Sequence, residues 1–243
     1  MKFARYDIGV DICSFDFYNV AVIAAARGYD CFVFGAHNPK CGKWSREQVL
    51  ERFHSIIAPG PAMLGMESRH GCDGEHICHP HLRFLVERYR AGLNFPRLKS
   101  VCPAKNVEYT VTLRQEPRIP VRNSNIAAWR EFARIIGAVV FEDYLVEPIQ
   151  LHERMAYYAG AKMNFGVPNG PLFLCFLSEY PVTFFSCDRC EGAFGNAGIK
   201  YGRQLPWSQS NQQLVWEPDN LDVMLRHFEE MNREASRRDL VTG

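Results

Sequence analysis

The sequence lacks an excess of either charge: 28 lysines and arginines stand against 27 aspartates and glutamates in 243 residues. A nucleic-acid-binding protein usually carries a net positive charge, so we expect no nucleic-acid partner. Long apolar runs are also missing, since none reaches the roughly 18 residues that a membrane span needs. The N-terminus enters a strand pattern without the apolar stretch of a signal peptide. We therefore expect a cytoplasmic protein.

Regular cysteine spacing is absent as well. The chain has nine cysteines, an odd number, and they are irregularly placed. This usage is typical of reduced thiols rather than of a secreted disulfide framework. Two cysteines share the segment 70–81 with four histidines, and Cys187 and Cys190 form a second pair. The spacing does not match a two-plus-two zinc finger, so we expect neither a metal nor a cofactor. A zinc-binding module stays open as an alternative.

The first hundred residues alternate between strand and helix patterns. Ser14 or Asp16 is the predicted start of the first helix, and Gly28 is its predicted end. The predicted elements are a strand at 6–12, a helix at 14–28, a strand at 31–36, and helices at 45–57 and 79–92, with an irregular segment before the last helix. Two prolines and a loss of periodicity at 94–106 predict a boundary there.

The rest of the chain repeats this alternation more clearly. The predicted elements are a strand at 107–113, a helix at 125–137, a strand at 138–143, a helix at 152–160, a strand at 161–167, a helix from 170 and a strand ending near 186. An irregular, glycine-containing loop is expected to follow, then a short strand at 214–216 and a terminal helix from Asp219 or Asn220. The chain is thus predicted to be an α/β protein with two Rossmann-like parallel-sheet halves, 1–100 and 106–243, the first of them reduced.

Ligands of open parallel sheets bind at the carboxyl ends of the strands, where this sequence places arginines. Arg114 ends the strand at 107–113, and Arg122 is followed by Asn123 and Ser124 before the next helix. Guanidinium groups beside a helix N-terminus favour phosphate, because free backbone N–H groups and the helix dipole point at it. The alternative is a solvated loop with an Asn or Ser cap.

Two further sites at strand ends are candidate ligand contacts. The turn Asn169-Gly170-Pro171 allows close backbone approach and starts a helix, so it is a candidate cradle for a diphosphate, although Gly-Pro turns are common without one. Asp143 ends the second strand of this half and is a candidate for holding sugar hydroxyls, or simply a cap.

Acidic residues follow the first strand of the chain. Asp11 and Asp16 would face the same cleft if the two halves meet, and either one is a candidate general base for an acceptor hydroxyl. The alternative for Asp16 is a structural role as an acidic residue in the first turn of a helix.

The C-terminal half resembles the donor-binding half of a GT-B glycosyltransferase, of the heptosyltransferase-like and fucosyltransferase-like kind found in bacterial surface-polysaccharide assembly. The resemblance covers residues 107–185 and rests on the motifs VTLRQ, RNSN with the following Trp, FED, and HERMAYYAGAKMNFGVPNGPLFLCFLSEYPVTFF. It implies a GT-B-like fold and metal-independent transfer of a sugar from a nucleotide-activated donor to a hydroxyl of a glycan or lipid-linked glycan. The missing Asp-x-Asp motif agrees with metal independence.

The resemblance also assigns roles to the candidate residues. Arg114 and Arg122, with the helix start at Gly170, would stabilise the charge that develops on the leaving diphosphate. The implied donor-binding set is Arg114, Arg122, Asn123, Ser124, Asp143, Asn169, Gly170 and Pro171. The implied catalytic set is Asp11, Asp16 and Arg114.

Several alternatives remain open at this point. The same fold also suits a nucleotide-sugar epimerase, a pyruvyl transferase, or a non-catalytic protein that binds nucleotide sugars or polysaccharides. The basic and aromatic residues of 81–105 are compatible with a peripheral contact with the inner face of a membrane, although a solvated helix face is the more common explanation of this pattern.

Overall fold

The computed structural model describes residues 1–7, 14–35, 45–142 and 149–242, and it contains two sheets. Every strand pair within the described residues is parallel. The predicted α/β class with two parallel sheets is thereby confirmed. The N-terminal sheet has four strands and the C-terminal sheet has five.

The N-terminal sheet has the strand order β3-β2-β1-β4. Its strands are β1 (Phe3–Asp7), β2 (Cys31–Gly35), β3 (Glu67–His70) and β4 (Glu75–His76). The helices of this part are α1 (Phe17–Ala26), α2 (Arg46–Arg52), which continues into a π-helical turn (Phe53–Ile57), α3 (Gly60–Met63) and α4 (Leu82–Arg90).

Local signals set most of these boundaries. Ser45 forms a capping box with Gln48 at the start of α2, and Gly28 takes a φ of 71° just after α1, where it ends that helix as predicted. The segment predicted to be irregular before α4 contains β3 and β4, which is a correction. Both strands are short and exposed, so their polar residues carry no alternating pattern.

The C-terminal sheet has the strand order β6-β5-β7-β8-β9. Its strands are β5 (Tyr109–Thr112), β6 (Val139–Phe141), β7 (Met163–Gly166), β8 (Val182–Phe184) and β9 (Gln212–Leu214). The helices are α5 (Ile126–Ile136), α6 (Leu151–Gly160), α7 (Gly170–Leu177), α8 (Glu191–Asn196) and α9 (Leu221–Thr242), with 3-10 turns at Pro120–Arg122 and Cys187–Cys190.

The segment after β8 is ordered where the sequence pattern predicts an irregular loop. A 3-10 turn and α8 occupy residues 187–196, and Cys187, Cys190 and Phe194 are buried there. Gly192 and Gly195 interrupt the helical pattern of this stretch, which explains why periodicity does not reveal the helix. The prediction of a long structureless loop is therefore wrong for residues 187–196.

One hydrophobic cluster contains residues from both sheets and the helices between them. The segment 94–106, predicted to be a boundary, is bonded to both parts: the Leu98 N–H donates to the Leu177 carbonyl and the Lys99 N–H to that of Met63. The guanidinium of Arg97 donates to the carbonyls of Phe176 and Trp207. These bonds join the segment to α3 in the N-terminal part and to α7 and the loop at Trp207 in the C-terminal part, while the division into halves at this segment stays a prediction.

Candidate functional site

Each sheet has a point where the strand order reverses, and ligands of such folds bind outside the carboxyl ends of the strands at that point. In the N-terminal sheet the reversal lies between β1 and β4, and the chain leaves these strands toward Asp16 and His81 respectively. In the C-terminal sheet it lies between β5 and β7, whose ends lead to Arg114 and Gly170.

The two reversal points lie next to each other. Gly170 has no room for a Cβ, because that atom would collide with the ring of Phe15. Asp16 interacts electrostatically with His81 and Arg122, and helix α1 is in contact with α7. We call this region, defined by Phe15, Asp16, Arg122 and Gly170, the shared edge.

Asp16 lies half-buried at the start of α1, but its side chain does not cap that helix. Its Oδ2 instead accepts a hydrogen bond from the Ser14 hydroxyl at 2.9 Å. Burial raises the pKa of Asp16, while the Ser14 hydrogen bond and the charges of His81 and Arg122 act in the opposite direction. A carboxyl group whose pKa is raised toward neutrality is a better proton acceptor than an ordinary aspartate.

Arg114 and Ser124 close the loop between β5 and α5. The Arg114 N–H donates to the Ser124 Oγ at 2.9 Å, and the Ser124 N–H donates to the Arg114 carbonyl at 3.0 Å. Within this loop the Arg118 guanidinium forms two hydrogen bonds of 2.7 Å with the carboxylate of Glu116. The charge of Arg118 is therefore compensated inside the loop.

The end of this loop leads into α5. Asn123 Oδ1 accepts from the Glu116 N–H at 2.8 Å, and Asn125 is the residue that caps α5. An open concave surface of about 480 Å³ lies here, lined by Gln115, Pro117, Asn123, Ser124 and Ile126.

Arg122 crosses toward the 3-10 turn after β8. Its Nε donates to the Sγ of Cys190 at 3.0 Å. Burial raises the pKa of the Cys190 thiol, and the charges of Arg122 and Arg114 act in the opposite direction. The net result is a raised pKa, so Cys190 holds the guanidinium as a neutral thiol.

The side chain of Asn169 bonds the backbone on both sides of the turn 169–171. Asn169 caps α7, since its Oδ1 accepts from the Leu172 N–H at 2.9 Å, and its Nδ2 donates to the Val167 carbonyl at 2.8 Å. Pro171 lies in the first turn of α7. Two other predicted site residues, Asp11 and Asp143, lie outside the described residues.

Within the described residues, no group of three or more His, Cys, Asp and Glu side chains is arranged to hold a metal ion. The basic segment 81–105 also has several of its charges engaged: Arg83 pairs with Glu87, and Arg90 donates to the Gly198 carbonyl. None of the helices in these parts of the chain is long and apolar enough to cross a bilayer. Peripheral contact with a membrane stays a prediction.

Sequence reasoning missed Asp219 as a site residue. The sequence around it predicts only the start of the terminal helix, yet its side chain is fully buried and accepts from the Asn125 N–H and the Trp129 Nε1–H, each at 2.8 Å. Asp219 thus lies directly behind the start of α5. The only sequence signal is an acidic residue beside Asn220, which resembles an ordinary helix cap.

Comparison with known proteins adds no family: no protein-family model, no curated protein and no solved structure matches this chain.

Proposed function

We propose that this protein transfers a sugar from a nucleotide-activated donor to a hydroxyl acceptor, in the assembly of a surface polysaccharide or glycoconjugate. One observation carries the proposal: the reversal points of two parallel sheets lie together at the shared edge, with a carboxylate from one sheet and arginines from the other. A two-substrate reaction needs such an arrangement, because donor and acceptor must be held against each other.

On the donor side, Arg114, Arg122 and the start of α5 would bind the diphosphate. The loop adjoins an open concave surface of about 480 Å³. Positive charge fixed in place before the reaction stabilises the negative charge that builds on the leaving nucleoside diphosphate. Asn123 and Ser124 would act mainly by shaping this loop, because their side chains bond its backbone.

On the acceptor side, Asp16 would take the proton of the attacking hydroxyl. The acceptor oxygen forms a bond to the anomeric carbon while the bond from that carbon to the diphosphate oxygen breaks, and the nucleoside diphosphate leaves with the electron pair. The raised pKa of Asp16 suits this role, because it brings the carboxylate closer to the pH at which a base works best.

The first test is a thermal-shift screen with nucleoside diphosphates and nucleotide sugars. A ligand that binds only the native state at 100 times its Kd adds about 2.7 kcal/mol to the free energy of unfolding. In a chain of this size, each kcal/mol of added stability raises Tm by roughly 2 to 4 °C. We expect a shift with one nucleotide, lost in Arg114→Ala and kept in the control Arg118→Ala, whose charge Glu116 already compensates.

The second measurement separates an enzyme from a binding protein. With the donor found in the screen, release of nucleoside diphosphate and transfer of the sugar are followed by chromatography. Release together with transfer supports the proposal. Binding without any turnover would favour a non-catalytic nucleotide-sugar-binding protein, and no shift with any nucleotide would contradict the donor site altogether.

A further inference from the structure

The carboxylate of Asp219 is fully buried and has four partner groups. Its Oδ2 accepts from the Asn125 N–H and from the indole of Trp129, each at 2.8 Å. Its Oδ1 accepts from the Ser186 hydroxyl at 2.9 Å and pairs with the Arg189 Nη2 at 2.8 Å. A buried carboxylate is tolerated when donors and an opposite charge surround it in this way.

Asp219 and the 3-10 turn Cys187–Cys190 together hold the loop 122–125. Arg189 uses its Nη1 to donate to the Asn123 carbonyl at 3.0 Å, while Cys190 accepts from the Nε of Arg122. Asp219 holds the N–H of Asn125, and the remaining residue of the loop, Ser124, is bonded to Arg114. Each of the four residues is therefore bonded to a group outside the loop.

The backbone at Ser186 supports the importance of this arrangement. Ser186 has a φ of 54°, and it is the only residue other than glycine with a positive φ in the described ranges. Its hydroxyl donates to the Asp219 Oδ1 and accepts from the Asp219 N–H at 2.8 Å. Strained backbone of this kind persists where the surrounding bonds determine it, and it is frequent at functional sites.

We propose that Asp219 and Arg189 are positioning residues of the diphosphate site, an inference that rests on the proposed function. Asp219 fixes the start of α5 and the loop 122–125 in the conformation that receives the anion. Arg189 compensates the charge of Asp219. Arg114 and Arg122 can therefore attract an anion without an opposing negative charge directly behind the helix start.

The arrangement makes a charge-specific prediction. In Arg189→Gln, the buried carboxylate keeps its bond to the Asn125 N–H but loses its compensating charge, so it repels an anion at the same helix start. In the double variant Arg189→Gln with Asp219→Asn, the repulsion disappears. A purely structural role predicts the opposite order, because the double variant has lost more bonds than the single one.

The first experiment tests the positioning of the loop without any ligand. Hydrogen exchange of the backbone amides at 122–128 is compared in wild type, Asp219→Asn and the control Glu217→Gln, whose exposed carboxylate pairs with Arg226 and His227 in the same segment. We expect exchange about tenfold faster in Asp219→Asn alone, the equivalent of roughly 1.4 kcal/mol in local opening. Unchanged exchange would overturn the inference.

The second experiment tests the charge argument by titration with inorganic pyrophosphate and with the nucleoside diphosphates, below the Tm of every variant. We expect Arg189→Gln to bind about tenfold more weakly than wild type, and the double variant to regain part of that loss. A double variant as weak as Arg189→Gln, or weaker, would overturn the role given to Arg189. If wild type binds none of these probes, the proposed function and the positioning of a diphosphate site both fail, whereas faster exchange in Asp219→Asn would still show that Asp219 holds the loop.

Discussion

The two sides of the shared edge use their polar side chains differently. On the C-terminal side, Asn123, Ser124 and Asn169 bond backbone groups of their own loops and helices. On the N-terminal side, Asp16 leaves its helix uncapped and accepts from the hydroxyl of Ser14. Amide and hydroxyl groups therefore shape one side, while a carboxylate with a raised pKa lies on the other.

This difference indicates how each side would meet a ligand. A ligand on the C-terminal side would contact arginine charge and backbone N–H groups in a loop of fixed shape. A ligand on the N-terminal side would meet a group able to exchange a proton. In the proposed transferase these would be the donor side and the acceptor side, and the following variants test whether the two sides differ in this way.

Asp16→Asn is expected to give the largest effect. If Asp16 takes the proton of the acceptor, its removal lowers the turnover number by about 100-fold or more, while the Kd of the donor nucleotide stays that of wild type. The measurement is the initial rate of nucleoside diphosphate release together with a binding titration. Asp222→Asn is the control, since Asp222 is an exposed acid in the first turn of α9. Equal losses in the two variants would remove Asp16 from the reaction.

Arg122→Lys tests whether geometry on the C-terminal side matters beyond charge. Lysine keeps the positive charge but has no Nε–H to donate to Cys190 and no planar fork for a diphosphate, so we expect affinity for the donor nucleotide to fall about tenfold. Cys190→Ser keeps an acceptor and is expected to bind nearly as well as wild type. Full affinity in Arg122→Lys would mean that only the charge is needed there.

The elements that could be predicted from sequence are those with a strong local pattern. The helix predicted at 125–137 is α5, and Gly137 ends it with a φ of 69°, as a glycine after a periodic run indicates. Strand β5 is recognisable from its β-branched and aromatic residues, and β7 lies within the strand predicted at 161–167. Parallel pairing follows from the alternation of strands and helices.

The bonds that fix the site could not be predicted, because they join residues far apart in the sequence. Asn125 and Asp219 are separated by 94 positions, and no local pattern reveals that buried donors converge on one carboxylate. The same limit explains why Asn169 was predicted to contact a ligand. Its side chain caps α7, and a sequence motif does not distinguish a capping amide from one that contacts a ligand.

Asn169→Ala tests that distinction on the C-terminal side. Loss of a helix cap costs about 1 kcal/mol of stability, which lowers Tm by roughly 2 to 4 °C, and we expect nucleotide affinity to be unchanged. Ser45→Ala is the matched control, because the Ser45 Oγ accepts from the Gln48 N–H at the start of α2. Loss of nucleotide binding in Asn169→Ala alone would show that this amide contacts the donor after all.

The smallest effect is expected in the pH dependence of stability. Burial raises the pKa of Asp16 above its ordinary value of 3.8, so the folded state holds this proton more tightly than the unfolded state. The resulting contribution favours folding below the unfolded pKa and is lost as the pH rises through the folded pKa. Asparagine does not titrate, so Asp16→Asn does not lose stability in this pH range through position 16. The Tm of the variant relative to wild type is therefore expected to increase as the pH rises from about 3 toward about 7.

Thermal unfolding of wild type, Asp16→Asn and Asp222→Asn across that pH range checks the sign. A relative gain in Asp16→Asn, absent from Asp222→Asn, would mean that the fold keeps a destabilised carboxylate at the shared edge, a cost that packing alone would not retain. If wild type becomes the more stable protein as the pH rises, the charges of His81 and Arg122 outweigh burial and Asp16 serves as an ion-pair partner. In that case the polar side chains on both sides of the shared edge would have structural roles, and another residue would have to accept the proton.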